Sequence, residues 1–397
     1  MPQPDISILV LCNHNRACIS VKEILAGLPF SVTICQSYNH AIDTLLEQKF
    51  DIVISEYDLE KYTGVQFLQQ AATIDTFSTR LIVGDKANED VIIKAVVKGI
   101  ACAYLDSSSS MDMVKAKLVD LSRVHTSMDN KRIQNIKTGT NSFPIVMTTY
   151  ENLMNAINMD YSIGQIAKII SSDVTLTSKI LQVANSAFYG SFTGTSVEKA
   201  IIYMGLNTVR DIVLMHSLSV NLNMTSDQNR CLEETVRHSI VTNYYLHTIV
   251  HKYKVCTLSS LNNSVGIIHD IGKIIQMVFF PQEHKSIEEF REENVNTDYY
   301  TSELESGNAS VAHTEIGGYF LKIWNFNQYA IESALFHHTP ELASENTKPC
   351  VEALFLANTL ADIRDGFDLS LEEAVGRCTM IKADVESLMA IEPPFNL

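Results

Sequence analysis

The chain has 397 residues, of which 46% are hydrophobic and 19% charged, and its formal net charge is −16. The length predicts two or three domains, and the acidic excess argues against nonspecific binding to nucleic acid or to anionic membranes. No apolar run is long enough to cross a membrane and no signal-peptide pattern opens the sequence, so a cytoplasmic location is expected. The eight cysteines form no CxxC pair, which predicts free thiols and no zinc knuckle.

Short β-branched runs alternate with helical patterns through the first 125 residues. Strands are predicted at residues 6–11, 31–35, 50–55, 81–84 and 101–105, and helices at 20–28, 39–48 and 111–125. Because buried strands that alternate with helices form parallel sheets, this part is predicted to be a doubly wound α/β domain of the flavodoxin-like type.

Three segments of this domain resemble the receiver domain of bacterial response regulators, a resemblance that covers residues 5–122. They are Asp51-Ile-Val-Ile-Ser-Glu-Tyr57, Gly64-Val-Gln-Phe-Leu68 and Ala95-Val-Val-Lys-Gly-Ile-Ala-Cys-Ala-Tyr-Leu105. The resemblance implies the receiver fold and places the phosphoacceptor position at Glu56.

The residues that receiver chemistry needs are replaced in this sequence. The family's Mg²⁺-binding acidic pair falls on Cys12 and Asn13, its switch hydroxyl on Asp85 and its lysine on Ser107. Because phosphoryl transfer to a carboxylate needs a metal and a cation, the domain is predicted to be a pseudo-receiver that is not phosphorylated. Glu56 is then either a mimic of a permanently charged state or an incidental carboxylate at a strand end.

A polar stretch at residues 126–142 predicts a linker, and helical patterns replace strand patterns beyond it. The predicted organisation is a pseudo-receiver domain at 1–125, this linker, a helical domain at 143–366 and a C-terminal helical segment at 367–397. The fold class is therefore predicted to be α/β followed by all-α.

Residues 262–276 predict one almost wholly apolar helix within the helical domain, and this helix contains His269, Asp270 and Lys273. A helix that is apolar all round belongs in a core, where ionisable side chains need partners. A divalent cation, a phosphate or a hydrogen-bond network would each supply them.

Several segments of the helical domain resemble the HDOD family, a branch of the HD phosphohydrolase superfamily found in bacterial signalling proteins. They are Ile170-Ser-Ser-Asp173, Leu181-Gln-Val-Ala-Asn-Ser-Ala-Phe-Tyr-Gly190, Val197-Glu-Lys-Ala-Ile201, Gly205-Leu-Asn-Thr-Val209 and Gly266-Ile-Ile-His-Asp-Ile-Gly-Lys273. The chain is identified as a member of this family over about residues 138–365.

The resemblance implies that histidines and aspartates of the helical domain bind one or two divalent metal ions. The residues that match the first metal's ligands are His238, His269, Asp270 and Asp362. Those that match further ligands of a second metal are His313, His337 and His338, and Asp270 could bridge the two ions. These ligand types suit Fe, Mn, Zn, Ni or Mg, so the metal stays open. Common ancestry could equally retain the residues as a polar core network without a metal.

If the centre is catalytic, the resemblance implies hydrolysis of a phosphate ester, with Asp270 and Lys273 as the candidate catalytic residues. The metal would activate a water while Lys273 neutralises phosphate charge. The branch of the superfamily that hydrolyses cyclic di-GMP carries a Gly-Tyr-Pro loop after its histidine pair. Here Thr-Pro-Glu-Leu follows His337 and His338, so hydrolysis of cyclic di-GMP is disfavoured.

Two further histidine groups are predicted to be solvated. His247 and His251 share a helix face beside Lys252, and His284 precedes an acidic stretch at 288–293. A solvated helix face is the usual setting for such charged runs.

The sequence therefore predicts a bacterial cytoplasmic signal-transduction protein. Its HDOD module, controlled by or paired with the pseudo-receiver, would bind signalling proteins or a small nucleotide ligand. The alternative is a metal-dependent phosphohydrolase or phosphodiesterase that acts on a nucleotide-type phosphate ester. The receiver resemblance also allows a homodimer.

Overall fold

A computed structural model describes residues 6–13, 30–75, 78–128, 148–184, 196–220, 225–259, 262–307, 311–324 and 326–392. The chain divides into two compact units. The first is Met1–Lys131 with Tyr319–Gln328, and the second is Arg132–Gly318 with Tyr329–Leu397. None of the described helices is long and apolar enough to cross a membrane.

The described part of the first unit is built on a five-stranded parallel sheet in the order β2-β1-β3-β4-β5. Its strands are β1 (Ile6–Leu11), β2 (Phe30–Cys35), β3 (Ile52–Glu56), β4 (Thr79–Gly84) and β5 (Ala103–Asp106). Consecutive residues such as Ile8 and Leu9 are fully buried, so both faces of the sheet are covered. This order is the doubly wound, flavodoxin-like topology that the sequence predicts.

Three of the described α-helices before residue 129 connect strands of this sheet, and a fourth follows β5. They are α1 (Tyr38–Glu47), α2 (Gly64–Ile74), α3 (Glu89–Val97) and α4 (Met111–Met128). The helix predicted at 20–28 lies outside the described residues. Because α4 continues to Met128, the first three residues of the predicted linker are helical, which corrects its start.

The described part of the second unit is helical and contains no strand. Its first helices are α5 (Thr148–Asn158), α6 (Ile163–Ser171), α7 (Val174–Ala184), α8 (Val197–Met204), α9 (Leu206–Val220) and α10 (Ser226–Tyr253). They are followed by α11 (Val265–Ile268), α12 (Ile271–Phe279), α13 (Pro281–Glu293), α14 (Tyr299–Glu305), α15 (His313–Ile323) and α16 (Gln328–Phe336). The end of α15 and the first residue of α16 fall in the segment Tyr319–Gln328, which is assigned to the first unit. The last are α17 (Lys348–Arg364), α18 (Leu371–Arg377) and α19 (Val385–Met389). The predicted domain boundaries of this part stay predictions.

The apolar segment 262–276 is not one continuous helix, which corrects the prediction. It is divided into α11 and α12 by His269 and Asp270, and Asp270 has φ −95° and ψ 15°. These angles lie in the sparsely populated bridge region, where the chain turns rather than continues a helix. Because apolar residues continue at helical spacing on both sides of this turn, the sequence pattern does not indicate it.

Close packing against α15 fixes the position of this turn. A methyl group on Gly272 would lie 1.8 Å from the carbonyl oxygen of His313 and 2.8 Å from the amide nitrogen of Gly317. A methyl group on Gly318 would in turn meet the side chain of Leu335 at 2.4 Å. Gly317 and Gly318 therefore let the neighbouring segments approach α15 closely.

Six cysteines among the described residues are free thiols. Cys12 is disulfide-bonded, which corrects the expectation of free thiols throughout. Spacing along the sequence does not show which cysteines the fold brings together.

Replacing Gly272 by alanine is predicted to destabilise the protein by about 1–3 kcal/mol, because the new methyl group would overlap backbone atoms that cannot move aside. Urea denaturation gives the free energy of unfolding. The matched control is Gly376→Ala in α18, where a methyl group meets no atom within 4 Å and alanine favours the helix. Equal stability of the Gly272→Ala variant and the unmodified chain would contradict the packing argument.

Candidate metal centre

The buried centre of the second unit is formed by side chains from α10, α15, α17, the turn between α11 and α12, and the residues that follow α16. The possible ligand atoms form two groups, and within each group all the atoms lie within 4.8 Å of one another. The first consists of His238, His269 and Asp270, and the second of Asp270, His313, His337 and His338. Asp362, the remaining predicted ligand, is in neither group.

The carboxylate of Asp270 stands between the two groups. Its Oδ2 atom lies 3.4 Å from Nε2 of His269 and 3.7 Å from Nε2 of His238. Its Oδ1 atom lies 3.4 Å from Nε2 of His313 and 3.3 Å from Nε2 of His337. One fully buried carboxylate therefore faces four imidazoles.

The far nitrogen of each ring determines which tautomer is present. Nδ1 of His313 lies 2.8 Å from a carboxylate oxygen of Glu303, and Nδ1 of His337 lies 3.0 Å from the carbonyl oxygen of Ser333. Nδ1 of His269 likewise lies 3.0 Å from the carbonyl oxygen of Gly266. Because these oxygens only accept hydrogen bonds, Nδ1 donates in each case and Nε2 of the neutral ring is unprotonated.

Unprotonated nitrogens consequently point at one another in the second group. Nε2 of His313 and Nε2 of His337 are 3.4 Å apart, and neither neutral ring has a proton to place between them. Oδ1 of Asp270 and Nε2 of His338 are buried and have no hydrogen-bond partner among the residues that the structure describes. Nitrogen and oxygen donors that converge in this way suit a divalent metal ion.

Protonation states at the centre also suit a metal. Burial lowers the pKa of His269 to about 3. Burial alone would raise the pKa of Asp270, but the neighbouring His269 and the charge of Lys273 outweigh it and hold the pKa well below its ordinary value. Burial likewise lowers the pKa of His337 and His338, whereas Glu303 outweighs burial and raises the pKa of His313. A metal binds the ionised carboxylate and the neutral imidazoles, so His313 would give up any second proton when the metal binds.

The first group is partly filled by the chain's own polar groups. Oδ1 of Asn358 lies 2.9 Å from Nε2 of both His238 and His269, and its amide nitrogen donates to Asp362 at 2.8 Å. Lys273 donates to Oδ2 of Asp270 at 2.6 Å. A metal held by this group would have to displace the Asn358 amide from between the two rings, whereas the second group has no comparable obstruction among the described residues.

Sequence reasoning missed Asn358 and Glu303. Asn358 precedes Asp362 by four residues and therefore shares its face of α17, a spacing that could have revealed it. Glu303 orients His313 from α14 and gives no such signal, because only the fold brings α14 against α15.

Beside Asp270 lies a cavity of about 300 Å³. Its wall carries three cationic side chains, each paired with a carboxylate: Arg237 with Asp365 at 2.6 Å, Lys273 with Asp270 at 2.6 Å, and Arg291 with Glu288 at 2.8 Å. Burial raises the pKa of Asp362, which also lines the cavity, to about 6.

Two of the predicted solvated histidines are not solvated. His284 is 7% exposed, lines this cavity and lies 3.2 Å from the hydroxyl of Tyr299. His247 is half-buried, with its Nε2 2.6 Å from the carbonyl oxygen of Asn263, while His251 is exposed as predicted. Helix packing on the histidine-bearing faces accounts for both differences, since neighbouring charges in sequence do not reveal which face is covered.

In the first unit, Glu56 ends β3 and accepts a hydrogen bond from the backbone amide of Asn13 at 2.9 Å. Ser107 is hydrogen-bonded to Asp85, so the positions that match the receiver's lysine and switch residue contact each other. The replaced receiver positions thus lie at the carboxyl edge of the sheet, where ligands of this topology bind. That this domain is not phosphorylated stays a prediction.

The comparisons with known proteins agree with this architecture. The model of the HDOD domain matches residues 142–340, half of the chain. An uncharacterised protein of Treponema pallidum (strain Nichols) is 23% identical over 210 residues, which are 53% of this chain and 40% of that relative. The chain therefore spans less than half the length of the curated relative that it matches.

Two solved structures are similar to separate parts of the chain, each at 19% identity. An HDOD domain protein of unknown function from Geobacter sulfurreducens matches 68% of this chain and 86% of its own, with a TM-score of 0.44. The signal receiver domain of an HD domain-containing protein from Pseudomonas fluorescens Pf-5 matches 32% and 93%, with a TM-score of 0.30.

The chain belongs to the HDOD family. A receiver-like unit precedes the HDOD domain, and this is the domain arrangement of a signal-transduction protein.

Proposed function

We propose that this signal-transduction protein binds a divalent cation in its HDOD domain, through Asp270, His313, His337 and His338. The observation that carries the proposal is the pair of facing Nε2 atoms 3.4 Å apart, on rings whose Nδ1 atoms both donate hydrogen bonds elsewhere. A cation would remove the repulsion between their lone pairs and would satisfy the unpartnered Oδ1 of Asp270.

The charge around the cavity supports a cation as well. Five carboxyl side chains line the cavity against three cationic ones. The carboxyl side chains are Glu234, Asp270, Glu288, Asp362 and Asp365, and the cationic ones are Arg237, Lys273 and Arg291. Carboxylates that outnumber their partners in a recessed site attract cations and oppose an unaccompanied phosphate.

We infer that the domain acts by binding rather than by turnover. Lys273, the residue that would neutralise a phosphate, is already paired with Asp270 at 2.6 Å. The amide of Asn358 lies between His238 and His269, where the first of two catalytic metals would be held. A metal held by the second group would instead stabilise a surface that recognises a signalling protein or a small nucleotide ligand.

The receiver-like unit fits a regulatory role that does not depend on phosphorylation. The carboxylate of Glu56 is engaged by the amide of Asn13, and Asp85 and Ser107 are engaged with each other. The positions that match the receiver's acidic pair and lysine hold Cys12, Asn13 and Ser107, which cannot supply the charges that phosphoryl transfer requires.

A metal-dependent phosphohydrolase is the second candidate, and one observation favours it. Asp270 and Lys273 both line the cavity, so a phosphate ester there would contact them directly. A bound metal would supply an activated water and polarise the ester. Lys273 would then have to exchange Asp270 for the phosphate oxygens.

Protein purified without chelators is predicted to contain bound divalent metal, measured by inductively coupled plasma mass spectrometry. His313→Gln and His337→Gln should each lose one ion per chain relative to the unmodified protein, because each removes an Nε2 donor that Asp270 alone cannot replace. In chelator-treated protein, metal at 100 times its Kd should stabilise the fold by about 2.7 kcal/mol.

The control for this experiment is His247→Gln, which changes a half-buried histidine outside both groups. It should keep the metal content and the stabilisation of the unmodified chain. An unmodified chain that binds none of Fe, Mn, Zn, Ni and Mg would refute the proposed cation site.

Metal-loaded protein is predicted to hydrolyse bis-p-nitrophenyl phosphate and cyclic dinucleotides no faster than its Asp270→Asn variant, because Lys273 and Asn358 occupy the positions that turnover would require. Initial rates at saturating metal measure this. Turnover in the unmodified protein that Asp270→Asn abolishes would favour the phosphohydrolase and overturn the binding role.

A further inference from the structure

A second cluster of metal-ligating side chains lines the same cavity and shares no residue with the Asp270 centre. It consists of Cys231 on α10 and of His284 and Glu288 on α13. One ligand atom of each lies within 4.8 Å of the other two. No residue that the HD superfamily resemblance supplies as a ligand is part of it.

The hydrogen bonds of His284 leave its Nε2 atom available as a ligand. The hydroxyl of Tyr299 donates to Oε1 of Gln276 at 2.7 Å. That hydroxyl proton is therefore committed, and the oxygen accepts from Nδ1 of His284 at 3.2 Å. With Nδ1 protonated, Nε2 of the neutral ring carries a lone pair. Metal-binding histidines are characteristically oriented by such a bond at the far nitrogen.

The other possible metal ligands also line the cavity, because helical spacing places them on the same helix faces. His284 and Glu288 are four residues apart and therefore share one face of α13. Cys231 and Glu234 are three residues apart on α10, and both line the cavity. A thiol, an imidazole and a carboxylate thus meet where two helices face each other, with a further carboxylate one turn along.

We propose that Cys231, His284 and Glu288 form a zinc site, separate from the Asp270 centre, with its remaining coordination position open to the cavity. Sulfur and nitrogen donors select zinc over magnesium or manganese. Three protein ligands with one open position is the arrangement that leaves zinc accessible to a ligand or a water. The inference does not depend on the proposed cation at Asp270.

The positive charge of Arg291 lies close to the proposed zinc site and would repel the metal ion unless it is compensated. Arg291 pairs with Glu288 at 2.8 Å and also packs against the rings of Tyr299 and Phe367. Nη1 of Arg291 donates to both carboxylate oxygens of Glu288, at 2.8 and 3.0 Å. Each oxygen has two lone pairs, so Glu288 can bind zinc through one oxygen and still accept from Arg291. The negative charges of a Cys231 thiolate, Glu288 and nearby Glu234 balance the arginine and the metal.

Cobalt substitution tests this site directly. Co²⁺ bound to a thiolate gives a near-ultraviolet charge-transfer band, which the sulfur-free Asp270 centre cannot produce. The Co²⁺-loaded full chain should show this band. Cys231→Ser should lose it together with one equivalent of bound metal, and His284→Gln should lose it at the Co²⁺ concentration that saturates the unmodified chain.

Two controls separate this site from others in the chain. Cys256→Ser changes another half-buried thiol, outside the cavity, and should keep the band. Asp270→Asn alters the other centre and should also keep the band. Failure of the Asp270 cation proposal can therefore be distinguished from failure of the zinc site. Thermal unfolding of each variant verifies that it is folded.

Absence of the band in the unmodified chain would overturn the zinc site. Persistence of the band in a folded Cys231→Ser variant would overturn it equally, because another thiolate would then be the ligand. Because serine is nearly isosteric with cysteine, this substitution is expected to preserve the fold. His284→Gln, which leaves every thiol in place, supplies the second independent test.

Discussion

Asp270 is an ionised carboxylate with no exposed surface, and the helical unit is arranged around the groups that compensate it. Removing such a charge from water costs several kcal/mol unless partners replace the lost hydration. Lys273 supplies one charged partner, and imidazoles from α10, α15 and the ends of α11 and α16 surround the rest. The turn at Asp270 and the glycine contact with α15 bring these partners within reach.

The partners of Asp270 are themselves held in place by a surrounding layer of hydrogen bonds. Glu303 orients His313, the carbonyl of Ser333 orients His337, and the carbonyl of Gly266 orients His269. Each bond fixes both the ring plane and the tautomer, so the Nε2 lone pairs are organised before any ligand arrives. Gln276 extends this layer, because its amide donates to Glu303 while its oxygen accepts from Tyr299.

Much of this architecture could be predicted from the sequence, and the exceptions have physical causes. The sheet followed from β-branched runs. His269, Asp270 and Lys273 stood out as ionisable residues in an apolar segment, whereas the other candidate ligands came from the resemblance to the HD superfamily. The break at Asp270 could not be predicted, because the apolar periodicity continues through it. The spacing of Asn358 from Asp362 places both on one face of α17, but only the tertiary fold sets Asn358 between His238 and His269. His284 is buried although its neighbours in sequence are charged.

The most direct test of the central claim is anomalous diffraction from crystals soaked in Mn²⁺, recorded near the manganese absorption edge. The account predicts a peak within bonding distance of Nε2 of His313, Nε2 of His337 and Oδ1 of Asp270. A peak between His238 and His269 instead, or no peak in the HDOD domain at saturating Mn²⁺, would contradict it.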